Sequence, residues 1–394
     1  MWFRFASLVP PPDPIRSETA LRMNNLVTVD LGDRSYEIRL TAQTRFEEFL
    51  AAFRTDLRRT WAGRSCRKVM VVTDRMVEPL ARVFADALAS ADFETRLIAV
   101  EPGEGSKSRE GLNCLHDALI DFRADRHTTV LAVGGGVVGD LAGFAAATYA
   151  RGLPLFMIPT SLLAQVDSAV GGKVAINHPK AKNILGAFHQ PIGVWIDLSH
   201  LRSLPPRQLR CGLAEVVKHG VILDPDLFEF VERHVADLLA LDPHALTRVV
   251  ADSCRLKAGV VTRDEREETG LRAILNFGHT VGHAVEAVAG YGGDLPHGEA
   301  VAIGMVAEAE LARRLGWVGP DLPARVAALC VALGLPIRAP GLSLDLVRTA
   351  MTLDKKNQAG RVRFVLPRRL GLVEVTDEVS DDLLNSVLEE VVRP

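Results

Sequence analysis

Between Lys68 and Arg151, short runs of branched and apolar residues alternate with longer stretches of helical period. Val69-Met70-Val71-Val72-Thr73-Asp74, Thr95-Arg96-Leu97-Ile98-Ala99-Val100 and Thr129-Val130-Leu131-Ala132-Val133 have the length and composition of strands. Leu155-Phe156-Met157-Ile158-Pro159-Thr160 and Val194-Trp195-Ile196-Asp197 extend the series. Strands alternating with helices predict a parallel sheet covered on both faces. The period changes near Pro205-Pro206, after which apolar positions recur at helical spacing from Leu209 to Leu223, Leu246 to Val261, Gly278 to Ala289 and Gly298 to Leu315. A boundary is expected there, with residues 23–204 forming an α/β domain and 205–394 a helical one. Residues 1–22, with Pro10-Pro11-Pro12 and no apolar core of a signal peptide, are expected to be a disordered tail ahead of a natural start at Met23.

Composition narrows the class without naming it. The 394 residues are 48% hydrophobic and 24% charged, as in ordinary soluble globular chains of two domains. A formal charge of −3 argues against a partner held through nucleic-acid phosphates. Cys66, Cys114, Cys211, Cys254 and Cys330 are odd in number and form no CxxC pair, which fits a reducing cytoplasm. No apolar run reaches the roughly 20 residues of a membrane span, since Asp140, Arg151 and Asp167 interrupt the most apolar stretches.

The strand ending at Val133 runs into Gly134-Gly135-Gly136-Val137-Val138-Gly139-Asp140, followed by an apolar helical stretch. Glycines at a strand-to-helix turn let the backbone approach a pyrophosphate, whose charge the helix N-terminus receives. A tight turn packed on the sheet explains the same glycines equally well. Asp74 at the end of an earlier strand, and Glu104 and Lys107 in a loop after the next, favour the nucleotide, because together they outline a crevice at the carboxyl ends of the strands.

Candidate metal chemistry lies in the second half. His279 and His283 are four residues apart and so share a helical face; His297 follows beyond a Gly-rich turn, and Glu215 sits on an earlier amphipathic segment. These groups supply mixed nitrogen and oxygen donors for a divalent cation, with either histidine of the helix-spaced pair as ligand. Arg151, Lys173, Lys182, Lys218, Lys257, Arg272, Lys355 and Lys356 lie in or near short Gly-, Pro- or Asn-containing motifs. A small substrate bearing phosphate and carboxylate needs several such donors.

Gly135-Gly136-Val137-Val138-Gly139-Asp140, Pro159-Thr160-Ser161-Leu162-Leu163-Ala164-Gln165-Val166-Asp167-Ser168, Gly171-Gly172-Lys173, Ala214-Glu215-Val216-Val217-Lys218, Leu275-Asn276-Phe277-Gly278-His279-Thr280 and Asp354-Lys355-Lys356 resemble, in order, the motifs of the 3-dehydroquinate synthase family of sugar-phosphate cyclases. The resemblance runs from about Asp74 to about Pro367. It implies a Rossmann-like, NAD-binding N-terminal domain and an all-α C-terminal metal-binding domain, with the active site in the cleft between them and a homodimeric assembly. It places NAD against Asp74, Glu104, Lys107, Gly135, Gly136, Val137, Asp140, Thr160, Ser161 and Lys182. It makes Glu215, His279 and His297 the ligands of zinc, with cobalt as the alternative, and His283 a proton-handling neighbour. Substrate falls to Asp140, Arg151, Lys173, Asn183, Lys218, Lys257, Arg272, Asn276, Lys355 and Lys356. Two departures stand out: Lys257 lies one residue further from His279 than the family pattern has it, as though Glu267-Glu268-Thr269 carried an insertion, and the approach to His297 is two residues longer.

The implied reaction converts 3-deoxy-D-arabino-heptulosonate 7-phosphate to 3-dehydroquinate and phosphate through transient oxidation, phosphate elimination, reduction and intramolecular aldol closure. NAD is recycled, so no net redox occurs. An aminodehydroquinate synthase or a valiolone-forming cyclase is the near alternative. Polyol dehydrogenases of the glycerol dehydrogenase type are expected to carry Asp in place of Glu215, to lack Lys173 and Lys182-Asn183, and to release NADH.

Overall fold

A computed structural model of the chain describes residues 25–61, 66–179, 181–290, 294–352 and 362–393. The expected tail at 1–22 and the Asp354-Lys355-Lys356 segment lie outside the described residues. In chain order the first part contains β1 (Leu26–Val29), β2 (Tyr36–Thr41), α1 (Phe46–Trp61), β3 (Lys68–Asp74), α2 (Glu78–Ser90), β4 (Glu94–Val100), α3 (Arg109–Asp121), β5 (Thr129–Gly134), α4 (Gly136–Thr148), β6 (Leu155–Pro159), β7 (Lys173–His178), β8 (Ala181–Phe188) and β9 (Gly193–Asp197). Seven of these strands form one sheet in the order β1-β2-β9-β6-β5-β3-β4, parallel except where β1 runs antiparallel to β2.

The central strands β5, β6 and β9 are buried along their whole length, as a sheet covered on both faces requires. On one face Phe49 of α1 stacks on Phe53 and meets Phe84 of α2, Phe156 and Trp195 edge-on, while Phe53 also meets Phe156 edge-on. On the other, Leu141, Ala142 and Ala145 of α4 join Met70, Val72, Val130 and Ala132 in the larger core. The edge strand β1 and its neighbour β2 bury only alternate residues. Gly171-Gly172-Lys173 and Lys182-Asn183 open and continue an antiparallel hairpin of β7 and β8, with Gly171 and Gly172 taking positive φ just before it.

The second part holds α5 (Pro206–Leu223), α6 (Pro225–Arg233), α7 (Val235–Leu239), α8 (Pro243–Arg263), α9 (His279–Ala289), α10 (His297–Arg314), α11 (Asp321–Ala332), α12 (Leu344–Thr352), β10 (Phe364–Arg369), β11 (Leu372–Thr376) and α13 (Asp381–Val392). It is helical apart from the β10–β11 hairpin, which corrects the all-helical expectation: Gly371, at φ +77°, closes a turn after a buried Phe364-Val365-Leu366-Pro367 run. No helix of the described residues is long and apolar enough to cross a membrane.

Glycines set how closely α5, α9 and α10 approach. A Cβ at Gly298 of α10 would fall on the Cys211 backbone of α5, and one at Gly304 would fall on the Gly278 carbonyl ahead of α9. At Gly282 of α9 it would come within 2.8 Å of the Ala300 carbonyl oxygen. The three helices therefore meet backbone to backbone. Gly304→Ala is expected to lower unfolding free energy by about 3 kcal/mol through overpacking. Gly259→Ala on the open face of α8, with nothing within 4 Å of the added methyl, should instead raise it by about 0.5 kcal/mol. Urea midpoints at constant m distinguish the two outcomes.

Candidate active site

The strands β3, β4, β5 and β6 all end at one edge of the sheet, and a cavity of about 1100 Å³ opens there against α9 and α10. Asp74, Glu104, Lys107, Gly135, Gly136, Val137, Asp140, Thr160, Ser161 and Lys182 all line it, as do Asn183, Asp167, Ser168, Thr280, His283 and His297. Gly135 is the N-cap of α4 and neither it nor Gly136 takes positive φ, so these glycines serve closeness rather than backbone conformation: a Cβ at Gly136 would stand 3.1 Å from Ser168 Oγ. The N-terminus of a thirteen-residue helix thus faces the cavity, a ready receiver of negative charge.

Lys107 is almost fully buried and donates from Nζ to Asp140 Oδ2 at 2.6 Å and to Asn183 Oδ1, with Glu104 Oε1 at 3.4 Å. Burial alone would neutralise it, but Asp140 and Glu104 outweigh that and hold it charged. Asn177, not foreseen from the sequence, donates to Glu104 Oε1 at 2.8 Å and accepts the Asn183 amide at 2.9 Å, fixing Asn183 in its left-handed conformation. The hairpin is thereby tied to the loop after β4. Asp74 Oδ1 accepts the amides of Met76 and Val77, so part of this carboxylate caps the start of α2.

Glu215 on α5 is completely buried. Its Oε1 lies 3.5 Å from Nε2 of His279 and 3.5 Å from Nε2 of His297, and it accepts no hydrogen bond; Oε2 is paired with Lys218. Each imidazole is oriented from behind. His279 Nδ1 is 3.0 Å from the Phe277 carbonyl, and His297 Nδ1 is 3.0 Å from Glu286 Oε2. Such partners fix ring direction and leave Nε2 free for a cation. Burial and then Lys218 push His279 well below the usual histidine range, so it is neutral. Burial also works against charge on His297, but Glu215 and Glu286 prevail and raise it to about 9. His283 completes a group of three imidazoles whose ligand atoms lie within 4.8 Å of one another, its ring 5.1 Å from that of His279 and 5.5 Å from that of His297.

An orphaned buried carboxylate oxygen facing two oriented nitrogens suits a divalent cation such as zinc or cobalt. Two carboxylates that support it went unpredicted. Glu286 also pairs with Lys182, linking the cavity wall to His297, and Glu308 on α10 accepts the amides of Gly278, Thr280 and Val281 at 2.7, 3.1 and 3.3 Å, capping the start of α9. Both stand among apolar helix neighbours, Val285-Glu286-Ala287 and Ala307-Glu308-Ala309, which is the signal that could have found them.

The remaining cations separate into groups. Lys218 is buried beside Glu215, with Asp167 Oδ1 at 3.8 Å; Lys257 donates to the Asp167 carbonyl at 2.6 Å and to its Oδ1 at 2.7 Å. Asp167, in the π-helical turn Ala164–Ser168, was also not foreseen as a site residue. Arg272, buried in the 3₁₀ turn Leu271–Asn276 that ends with part-buried Asn276, donates to the carbonyls of Glu265 and Gly171. Lys173 is half exposed at the start of β7, paired with Glu267, whose carboxylate is 4.0 Å from Arg272 Nε. Arg151 does not join them. It sits on an exposed turn just past the far end of α4, roughly 20 Å from the N-terminus of that helix at 1.5 Å per residue, and is not among the cavity's lining residues. Lys355 and Lys356 lie outside the described residues.

Residues 97–211 match a family model described as 3-dehydroquinate synthase N-terminal, and residues 212–357 match one described as 3-dehydroquinate synthase C-terminal. The chain belongs to the 3-dehydroquinate synthase family. A 3-dehydroquinate synthase of Desulforamulus reducens is 46% identical over 366 residues, covering 92% of this chain and 99% of its own, and that of Geobacter metallireducens is 49% identical over 346 residues, covering 88% and 93%. Among solved structures, a 2-epi-5-epi-valiolone synthase from Streptomyces hygroscopicus, solved with NAD+ and Zn2+ bound, superposes with a TM-score of 0.82 at 30% identity, over 92% of this chain and 98% of that one.

For this member of the 3-dehydroquinate synthase family, one cation carries a pH signature. Burial lowers the Lys257 amine to about 8 despite Asp167. The charged form is therefore complete below about pH 7 and is lost as pH rises through about 8. The kcat/KM profile is expected to fall above about pH 8 toward the level of Lys257→Met, whose own profile lacks that limb.

Proposed function

We propose that the chain is a 3-dehydroquinate synthase, converting 3-deoxy-D-arabino-heptulosonate 7-phosphate to 3-dehydroquinate and phosphate, in the cytoplasm and as a homodimer, with residues 23–204 and 205–394 as its two domains. The observation that carries the proposal is Glu215 Oε1, buried without a hydrogen bond between the Nε2 atoms of His279 and His297, beside the cavity lined by every residue assigned to the nucleotide. Kinship to dehydroquinate synthases at 46% and 49% identity, against 30% for the valiolone synthase, favours the carboxylate-bearing substrate.

Glu215, His279 and His297 hold the divalent cation, with Glu286 and the Phe277 carbonyl keeping the two rings in register. When bound, the cation lowers the pKa of the substrate alcohol and NAD supplies reversible hydride acceptance. The N-terminus of α4 with Gly135, Gly136 and Val137 takes the dinucleotide phosphates, while Asp74, Glu104, Thr160 and Ser161 line its flanks. Lys107 stays charged between Asp140 and Glu104, and so keeps Asn183 turned inward. Lys173 and Asn183 receive the substrate phosphate; Lys257, Arg272 and Asn276 receive its carboxylate. Lys218 neutralises Glu215, so the buried charge does not repel the substrate. His283, on the cavity wall one helical turn from His279, holds the proton exchanged with the substrate. Enclosing both ends of a small molecule in this way is positional catalysis.

Mixing metal-loaded protein with catalytic NAD and the heptulosonate phosphate is expected to release phosphate and dehydroquinate in equal amounts without accumulating NADH. NADH accumulation on a polyol, or no phosphate release, overturns the proposal. Glu215→Ala and His297→Ala are expected to lose bound zinc together with turnover, and His283→Ala to lose turnover while keeping zinc. Metal analysis after desalting decides, since a Glu215→Ala protein retaining one zinc per chain contradicts the ligand set.

A further inference from the structure

The guanidinium of Arg272 is 2% exposed and is held by two carbonyls: Nη1 donates to Glu265 at 2.6 Å and Nη2 to Gly171 at 3.0 Å. Each of those residues is itself pinned by the segment joining β1 to β2. The Gly171 amide donates to the hydroxyl of Tyr36 at 3.1 Å, and Tyr36 is completely buried in β2. The Glu265 carboxylate receives both Nη atoms of Arg34, one at 2.7 Å, and Gln190 Nε2 at 3.0 Å. Gly171 cannot be another residue here: at φ +97° a Cβ would stand 2.6 Å from Arg272 Nη2. Arg34 and Tyr36 precede residues 97–357, where the family models match.

We infer that Arg34 and Tyr36 are positioning residues for Arg272, aiming its remaining N–H donors at the substrate carboxylate. The inference rests on the proposed role of Arg272 in holding that carboxylate. Two of the five guanidinium N–H groups are committed to the carbonyls and Nε faces the Glu267 carboxylate at 4.0 Å, so one N–H on each Nη remains for a ligand. A fork fixed at two corners has little freedom to swing, and a planar pair of donors recognises a carboxylate only when aimed at it. Arg34 is more than half exposed, so its pair with Glu265 contributes little to global stability. Its effect should instead appear in substrate binding.

Tyr36→Phe keeps the ring and removes only the hydroxyl; Arg34→Gln removes the fork, and Arg34→Lys restores a charge. Steady-state kinetics of the metal-loaded enzyme are expected to show KM for the heptulosonate phosphate raised about fivefold in Tyr36→Phe and in Arg34→Gln, on the scale of one lost hydrogen bond. KM for NAD and zinc content should hold in both, and Tm should hold in Arg34→Gln but fall somewhat in Tyr36→Phe, where the buried Gly171 amide loses its acceptor; Arg34→Lys should recover part of the loss in KM. In an Arg272→Lys background the same substitutions should change KM by less than twofold, because the group they aim is gone. If Arg272→Lys raises KM but Tyr36→Phe and Arg34→Gln leave it unchanged, or multiply with it independently, the positioning role is wrong. If Arg272→Lys leaves substrate KM unchanged, the carboxylate role of Arg272 falls, and this inference with it. Should Tyr36→Phe unfold, as far-UV circular dichroism would show, the surface variant Arg34→Gln decides alone.

Discussion

A carboxylate with no access to water organises the helical half of the molecule. Burying the charge of Glu215 is unfavourable unless opposite charges or oriented dipoles surround it. Lys218, one turn along α5, supplies a charge on one oxygen, and the other oxygen is left to two imidazoles on separate helices. Satisfying it requires α5, α9 and α10 to converge, and convergence this tight leaves no room for side chains where the backbones cross. Hence the glycines at 278, 282, 298 and 304. A second buried carboxylate, Glu308, then fills the start of α9, where a helix closed in by neighbours has no other source of acceptors.

The β7–β8 hairpin relates this assembly to the sheet. Asn177 and Asn183 reach the loop after β4; Lys182 reaches Glu286 on α9; and Lys173 reaches Glu267 in the loop after α8. Cations assigned to the nucleotide and to the substrate phosphate therefore lie on one short two-stranded element, Lys182 beside its turn and Lys173 at its open end. A regular strand fixes their spacing better than a flexible loop could.

How much was legible depended on whether the signal was local. The strands β3, β5, β6 and β9 are buried on both faces and read as unbroken branched runs; β1, β2 and β8 show alternate, partial burial, β7 buries only Val174-Ala175-Ile176, and their mixed sequences hide them. The helices around the histidines were visible from period alone. Glu215, His279, His283 and His297 could be read as a candidate group from spacing, the choice among them only from the family resemblance, and the structure brings all four together. Asp167 and Asn177 could not, because what makes each of them matter is a partner far away in sequence, whereas Glu286 and Glu308 showed only the local sign of an acid among apolar helix neighbours. Arg151 illustrates the converse: a motif residue can be recognised in the sequence although its helix carries it to the opposite end of the domain.

Where α9 and α10 cross, the main chains themselves are in contact, and this has a consequence for how the protein can diverge. Side chains over the outer faces of the bundle are free to drift, since none of them sets the angle at which the two histidine-bearing helices meet. Deep mutational scanning should therefore return an uneven map for α10: broad tolerance on its outward positions, and near-complete intolerance at two residues that carry no chemistry at all, Gly298 and Gly304. In this architecture letters without side chains are held as tightly as the histidine that opens the helix.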